Sequence, residues 1–345
     1  MRVAVVLFNL GGPRSLDEVE PFLFNLFNDA AIIRLPQPLR WLVATLISKR
    51  RTPVAKAIYQ KLGGSSPILG QTYSQASALY AALAGSEHNY EVFVAMRYSS
   101  PRALDIVEQV KRFRPNKVFL LPLYPQFSTT TARSSFREWK AVSRERKFQA
   151  PTLSLCCYPV NAGLVEAHRD LIMQSVVSLA ANVKYRILFS AHGLPESVIR
   201  SGDPYQVQVE ATAAEIVKSL DIAGLDWKVS YQSRVGPMTW IGPSTEDEIR
   251  NAGREGKALV VVPIAFVSEH SETLVELDME YSKLATECGI SSYLRVPALG
   301  THPAFISALA AMVKRLSSQT GAIPDSNEWR CPATCKQCPL ESKST

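Results

Sequence analysis

The chain has 345 residues, of which 46% are hydrophobic and 20% are charged. This composition is typical of a globular protein and excludes predominant disorder, and no apolar run is long enough for a transmembrane helix. The 38 Lys and Arg residues outnumber the 31 Asp and Glu residues, which favours an anionic partner. Nucleic acid is not expected, because the basic residues are dispersed and no nucleic-acid-binding motif accompanies them.

Short β-branched apolar runs alternate with segments of helical periodicity, which predicts βαβ units and mainly parallel sheets. The predicted strands cover residues 2–8, 90–96, 117–123, 152–157, 185–190, 227–231, 258–266 and 291–296. The first run lacks the small-residue cleavage site of a signal peptide, so we interpret it as a strand.

The strands form two groups of four and predict an α/β fold of two similar Rossmann-like halves with the active cleft between them. No sequence repeat relates the halves. We predict a first half over residues 1–160, with an apolar lip at about 20–53, and a second half over 161–320. A cysteine-containing extension follows at 321–345.

Three helix starts carry capping signals. Ser15 and Glu18 predict a capping box, while Asn161 and Asp203 each predict the start of a further helix. Between the first two of these helices, residues 38–51 form an apolar stretch that ends in three cations. We interpret this stretch as a membrane-surface helix or the lip of an apolar pocket, with an ordinary core helix as the alternative.

The loops after the strands form the candidate site, since ligands of open α/β sheets bind there. The motifs of dinucleotide binding, P-loops and serine hydrolases are all absent. What remains is His192, at the end of a predicted strand, and the acidic segment 269–272. His192 can act as a base or a metal ligand, or it is simply a hydrogen-bonded loop residue.

Glu272, Glu276 and Glu280 recur every four residues, which places three carboxylates on one face of a helix. Like charges at this spacing repel, so an ordinary solvent-exposed polar face is a poor explanation for the three carboxylates. Side chains that line a path for cations or protons explain them better. His270 also follows a strand. The remaining histidines are expected at the surface or at helix ends: His88, His168 and His302.

Cys331, Cys335 and Cys338 place three thiols within one short C-terminal segment. A fourth ligand can come from Cys156 or Cys157 at the end of a strand. Thiolates suit an iron–sulfur cluster or a tetrahedral zinc site, and the spacing differs from the paired motif of a zinc ribbon. The pattern favours iron–sulfur.

A series of short motifs runs through the chain in a fixed order: residues 7–13 (LFNLGGP), 49–53 (KRRTP), 63–67 (GGSSP), 97–98 (RY), 124–128 (YPQFS), 190–195 (SAHGLP), 231–237 (YQSRVGP), 240, 242–243 and 266–274 (FVSEHSETL). In content and order these motifs closely resemble ferrochelatase. The resemblance implies a lyase that inserts Fe²⁺, its substrate, into protoporphyrin IX as the final step of haem biosynthesis, with release of two protons.

The resemblance also implies roles for individual residues. His192 and Glu272 would be the proton acceptor and the metal donor, in an order left open, and Glu276 and Glu280 would extend an acidic metal path. Porphyrin contacts are implied for Leu10, Arg50, Arg51, Arg97, Tyr98, Tyr124, Trp240, Phe266 and His270. The two arginines at 50 and 51 would meet the propionates.

Two positions depart from the family pattern. Animal-type members hold a [2Fe–2S] cluster with an internal ligand just after the YPQ-aromatic-S motif, where this chain has Thr129. Some bacterial members also carry C-terminal clusters, so Cys156 or Cys157 is the expected substitute here and structural zinc is the alternative cofactor. Leu10 stands where some members have methionine or tyrosine. The chain resembles bacterial members, which predicts a cytoplasmic monomer or homodimer with peripheral membrane contact through the lip.

Three other functions stay open: a coproporphyrin ferrochelatase, a cobalt or sirohaem-type chelatase, and a non-catalytic tetrapyrrole carrier or sensor. A carrier would need neither His192 nor Glu272. A substrate with many carboxylates would need a more polar pocket than the aromatic walls expected here.

Overall fold

The computed structural model describes residues 1–180, 183–234, 236, 238–316, 321–323 and 329–340. The strands are β1 Arg2–Asn9, β2 Asn89–Met96, β3 Lys117–Pro122, β4 Thr152–Leu155, β5 Tyr185–His192, β6 Trp227–Gln232, β7 Ala258–Pro263, β8 Tyr293–Arg295 and β9 Gly321–Ile323. The α-helices are α1 Val19–Phe27, α2 Gln37–Lys61, α3 Ile68–Leu83, α4 Ala103–Phe113, α5 Ala132–Glu145, α6 Ala162–Val176, α7 Glu196–Arg200, α8 Tyr205–Leu220, α9 Thr245–Arg254, α10 Ser282–Glu287 and α11 Pro303–Leu316. A 3-10 turn covers Leu16–Glu18, and Glu272–Tyr281 is a π-helix.

The chain divides into two units, each with its own sheet. The first unit comprises Met1–Cys157 together with the chain from Leu309 to β9, and the second comprises Tyr158–Ala308 with residues 329–340. All strand pairs are parallel, in the order β2-β1-β3-β4-β9 in the first unit and β6-β5-β7-β8 in the second. The eight predicted strands are confirmed, whereas the three-residue β9 was not predicted.

The strand order is the same in the two units apart from β9, so the fold is repeated although the sequence is not. The first strands, β1 and β5, are buried along nearly their whole length, which is why both read as continuous apolar runs. In each unit the chain continues to one side of this first strand and later returns on its other side. Loops at such a reversal flank the usual ligand crevice, here the loops after β1 and β3 and those after β5 and β7.

The helix starts agree with the sequence at two of three positions. The Asn161 side chain accepts hydrogen bonds from the first turn of α6, and Asp203 accepts one from the Tyr205 N–H. The predicted capping box of Ser15 and Glu18 is wrong. Ser15 makes no capping bond, and the Glu18 carboxylate accepts from the backbone and guanidinium of Arg14 rather than from Ser15.

Helix α2 contains the apolar stretch at 38–51 and is not an ordinary core helix. Its N-terminal half exposes Leu39, Trp41, Leu42 and Leu46, each by half or more of its surface. No helix in the described ranges is long and apolar enough to cross a membrane. The apolar face of α2 therefore lies on the surface of the first unit.

His168 lies in the interior of the second unit, which contradicts the expected surface or helix-end position. It sits in the middle of α6, is 1% exposed, and neither ring nitrogen has a hydrogen-bond partner among the described residues. Burial, reinforced by the nearby His302, lowers the pKa of His168 to about 3. The folded chain therefore keeps this imidazole neutral.

We expect the substitution His168→Leu to weaken the pH dependence of the free energy of unfolding between about pH 6.5 and pH 3. The unfolded chain protonates this histidine near its ordinary pKa of 6.5, while the folded chain does so only near pH 3, so wild-type stability falls as the pH drops between these values. One such group contributes a slope of up to about 1.4 kcal/mol per pH unit. Urea unfolding across this pH range measures the slope, and equal slopes for the two proteins would contradict the assignment.

Candidate active site

His192 is held at the end of β5 by its pairing with β6. In the parallel register His192 lies opposite Gln232, and the Gly193 N–H donates to the Gln232 carbonyl at 2.8 Å. A Cβ on Gly193 would lie 2.9 Å from that carbonyl oxygen, so a side chain does not fit at this position. This close approach of the two backbones places His192 near Ser233, the first residue after β6.

The imidazole contacts a carboxylate directly. His192 Nδ1 lies 2.8 Å from Glu272 Oε2, and the two side chains are 39% and 25% exposed. Burial opposes a charge on each group, but the attraction between them prevails, raising the pKa of His192 and lowering the pKa of Glu272 to about 2. Because Nδ1 faces the carboxylate, Nε2 is the nitrogen left to meet a ligand.

Ser233 connects this pair to a second carboxylate. Its Oγ lies 2.5 Å from Glu276 Oε2 and 3.1 Å from Glu272 Oε2, and its N–H donates to Glu276 Oε1 at 2.8 Å. The serine has a φ of 60°, in the left-handed region that non-glycine residues seldom adopt. Its strained backbone aims the amide at Glu276, and strain of this kind concentrates at functional sites.

The π-helix places Glu276 within this network. In its i→i+5 hydrogen-bonding pattern, residues five apart lie about one turn apart, and Tyr281 OH lies 3.0 Å from Glu276 Oε1. Gln232 Nε2 also donates to Glu276, at 3.1 Å. Burial and the charge of Glu272 nevertheless raise the pKa of Glu276. Neighbouring carboxylates thus have pKa values shifted in opposite directions.

The other acidic residues of this segment lie in different surroundings. Glu280, the third carboxylate of the predicted path, is exposed. Glu269 forms an ion pair with Arg295 and accepts from the Ala298 N–H at 2.9 Å. Arg295 also binds Asp278, which lies within the π-helix, so this ion cluster joins the helix to the loop that precedes it.

His270 and Phe266 form an edge-to-face pair with ring centroids 4.5 Å apart. His270 is buried, and its backbone N–H donates to Thr273 Oγ1, while its Nδ1 accepts from the Thr273 N–H at 3.3 Å. Burial lowers the pKa of His270, so this imidazole stays neutral and acts as a helix cap beneath the partly exposed Phe266 ring.

The backbone of Trp240 forms an isolated β-bridge with Pro195, which lies in the loop after His192. The Ile241 N–H donates to the Leu194 carbonyl at 3.0 Å, which fixes the two segments side by side. The indole Nε1 is buried and has no hydrogen-bond partner in the part of the chain that the structure describes.

In the first unit, the predicted Arg97 and Tyr98 converge on Asp29, which the sequence did not single out. Asp29 Oδ2 accepts from the Arg97 guanidinium at 2.7 Å and from Tyr98 OH at 2.8 Å, and Ser134 donates to the same oxygen. Although burial opposes ionisation, Arg97 and these donors lower the pKa of Asp29. Tyr98 is 1% exposed, so it supports Arg97 from the interior.

The remaining predicted contacts of the first unit lie nearer its surface. Leu10 is partly buried and packs in one cluster with Tyr98, and Tyr124 is partly buried after β3. Arg50 and Arg51 are exposed on α2, and the Arg51 guanidinium lies 5.8 Å from the centre of the Phe27 ring.

The three C-terminal cysteines are buried in one cluster on α8. Cys331 Sγ accepts from the buried Gln208 side chain at 3.2 Å. The C-terminal cysteine loop packs closely against Gly202, which has a φ of 95°. A Cβ on Gly202 would lie 2.9 Å from the backbone nitrogen of Lys336. Gln337 N–H also donates to the Gly202 carbonyl at 3.0 Å. Cys156 and Cys157 lie buried in the first unit, their sulfurs 3.0 Å apart.

No group of three or more His, Cys, Asp or Glu side chains within the described ranges has the geometry of a metal site. The thiols nonetheless match the chemistry of thiolate ligation, because they are buried together and an amide N–H already faces one sulfur.

Comparison with known proteins decides the family. The ferrochelatase family model matches residues 2–316. The ferrochelatase of Caulobacter vibrioides is 52% identical over 98% of this chain and 97% of its own length, and that of Pelagibacter ubique is 49% identical over 98% of each chain. The chain belongs to the ferrochelatase family.

Solved structures of other proteins are similar to this chain in fold. SirB from Bacillus subtilis with Fe³⁺ has a TM-score of 0.56 and 11% sequence identity, over 92% of this chain and 96% of SirB. At this identity the likeness shows a chelatase-like fold alone. The fold class predicted from the ferrochelatase-family sequence, two Rossmann-like halves, is therefore confirmed.

We expect Asp29→Asn to lower the free energy of unfolding by up to about 3 kcal/mol, because the largely buried Arg97 loses one of its two carboxylate partners and keeps only Glu138. Asp17→Asn is the matched control, since the Asp17 side chain is 99% exposed and its ion pair with Lys56 contributes little. Urea unfolding measures both variants. A loss at Asp29 no larger than that at Asp17 would refute this role.

Proposed function

We propose that this chain is an iron chelatase that inserts Fe²⁺ into protoporphyrin IX and releases protohaem and two protons. The observation that carries the proposal is the chain of contacts from His192 through Glu272 and Ser233 to Glu276. Family membership supplies the reaction class, and these four residues supply the acid–base groups that the reaction needs.

His192 is the proposed proton acceptor. Metal insertion requires that two pyrrole N–H protons leave the macrocycle, so a base must face the ring. The contact between Nδ1 and Glu272 fixes the orientation of the imidazole and raises its basicity, leaving Nε2 for the substrate. The raised pKa of His192 favours proton acceptance near neutral pH.

Glu272 and Glu276 are the proposed path for the departing protons or the arriving metal ion. The pKa of Glu272 is lowered and that of Glu276 is raised, which gives one carboxylate that stays ionised and one that holds a proton more readily. The oxygens of both carboxylates already accept from Ser233, so in this proposal they would hold a cation weakly enough to release it. Glu280, exposed on the same π-helix, is the proposed outer end of the path.

Each unit contains residues for which a porphyrin contact is proposed. In the first unit Leu10, Arg50, Arg51, Arg97 and Tyr124 are proposed to contact the porphyrin, with Tyr98 acting through Arg97. In the second unit Trp240 and Phe266 present rings to the macrocycle, and His270 supports Phe266. Aromatic side chains suit a flat, apolar ligand.

We also propose a [2Fe–2S] cluster on Cys331, Cys335 and Cys338, completed by Cys156 or Cys157, with structural zinc as the alternative. The Gln208 N–H would stabilise a thiolate at Cys331. A cluster there would pin the C-terminal loop to α8, a structural role.

The exposed apolar face of α2 supports a proposed peripheral contact with a membrane surface. Its leucines and Trp41 lie next to Arg50 and Arg51, a combination that suits an anionic lipid surface. We therefore propose a cytoplasmic protein that exchanges an apolar substrate or product at the membrane.

We expect His192→Ala to bind porphyrin with little change in affinity but to insert Fe²⁺ at least roughly 100-fold more slowly, since general-base catalysis contributes about this factor. Anaerobic loss of porphyrin fluorescence measures insertion, with protoporphyrin and coproporphyrin assayed in parallel and His88→Ala as control. Wild-type turnover by the His192 variant would remove it from the mechanism, and binding without turnover by the wild-type chain would indicate a carrier.

We expect Cys335→Ser to lose the visible absorbance of the purified protein and to lower its soluble yield, whereas Cys288→Ser, at the end of α10, keeps both. Separate Cys156→Ser and Cys157→Ser variants identify the fourth ligand. Absorbance spectra and metal analysis are the measurements. Bound zinc in a colourless wild-type protein would select the alternative cofactor, and a colourless Cys335→Ser protein with full yield and activity would exclude a structural role.

A further inference from the structure

A cavity of about 710 Å³ opens in the first unit, between α5 and the segment 148–154 that leads into β4. Its floor is apolar and aromatic, with Leu120 from β3, Trp139 and Phe136 from α5, and Phe148 opposite them. None of these residues belongs to the proposed chelatase machinery. The volume lies within the range of small-molecule sites, which are mostly lined by such side chains. We call this cavity the α5–β4 groove.

The groove exists because α5 covers β3 but not all of β4. Leu120 and Trp139 are nearly fully buried, whereas Thr152 and Ser154, on one face of β4, line the open side. Leu153, between them in sequence, is buried on the other face of the strand. The sheet thus presents a short polar edge beside an apolar floor.

One rim of the groove is basic. Lys140 and Arg144 are four residues apart on α5, so they lie on one face of the helix, one turn from each other. Both are exposed, and neither forms an ion pair with any residue that the structure describes. No carboxylate is among the described lining residues. The acidic residues of α5 are engaged elsewhere, Glu138 with Arg97 and Arg102, and Glu145 with Arg146.

A further polar atom lies at the same rim. Ser143 Oγ is buried at the groove and has no hydrogen-bond partner within the described chain. A buried hydroxyl without a partner is costly unless a ligand or water satisfies it. The two cations and this hydroxyl therefore form one polar end above an apolar cavity.

We propose that the α5–β4 groove binds an amphipathic carboxylate, a molecule with an apolar body and one or two carboxylate groups. The body lies on the partly exposed rings of Phe136 and Phe148, and the carboxylates meet Lys140 and Arg144 while Ser143 donates to an oxygen. Two sources share this chemistry, a fatty acid and a tetrapyrrole with two propionates. The proposal does not depend on the chelatase function.

The test for a fatty acid uses the full-length protein and cis-parinaric acid, a fluorescent fatty acid. Binding in the groove produces energy transfer from Trp139, so Trp139→Phe reduces the total transfer from the five tryptophans of the chain. Reversing both rim charges, Lys140→Glu with Arg144→Glu, raises the Kd at least tenfold. The matched control Arg112→Glu with Arg137→Glu makes the same charge change on exposed residues outside the lining and leaves the Kd unchanged.

A second variant guards against loss of folding. Ser154→Phe fills the groove without changing charge and also raises the Kd, while circular dichroism and thermal unfolding confirm that each variant is folded. The test for a tetrapyrrole titrates zinc protoporphyrin and asks whether the charge reversal removes one equivalent per chain, whatever the insertion activity. A wild-type chain that binds neither probe, or binding that the charge reversal and Ser154→Phe leave unchanged, overturns the proposal.

Discussion

The contact between His192 and Glu272 is the interaction on which the site depends. Neither residue could hold this geometry alone, since one ends a strand and the other begins a π-helix 80 residues later. The parallel pairing of β5 with β6 and β7 brings their following loops to one edge of the sheet. A slip of one residue in either register would point the imidazole to the other face of the sheet.

Two carboxylates next to each other repel, and the structure offsets this repulsion in two ways. His192 stabilises the charge on Glu272, while Ser233, Gln232 and Tyr281 surround Glu276 with donors. The lowered pKa of Glu272 and the raised pKa of Glu276 follow from this unequal environment. A pair of carboxylates with divergent pKa values can divide acid and base tasks between them.

The two units share one strand order apart from β9, but the charged groups after their strands differ. In the first unit, Arg97 at the end of β2 pairs with Asp29, and both side chains are largely buried. In the second, the loops after β5 and β7 present groups that can change protonation. The fold places loops at the topological reversal, but the side chains decide whether they make a rigid wall or a proton-transfer network.

The sequence alone predicted eight of the strands, the position of His192 at a strand end, the position of Glu272 in the segment after a strand, and the family. Local apolar periodicity and contiguous motifs carry these features, so no knowledge of distant contacts is needed. The sequence placed Ser233 directly after a strand and within the motif at 231–237 but gave it no role, and its positive φ had no local signal. The motifs also indicated Tyr98 but not that it is buried.

Only the tertiary structure decided which distant residues meet. Asp29 lies 68 residues from Arg97, and the failed capping box at Ser15 shows how a neighbouring arginine can take a carboxylate from its predicted role. His168 looked like a surface residue because its burial depends on helices packed around α6. The π-helix and the α5–β4 groove likewise arise from packing between elements, for which periodicity within one element contains no information.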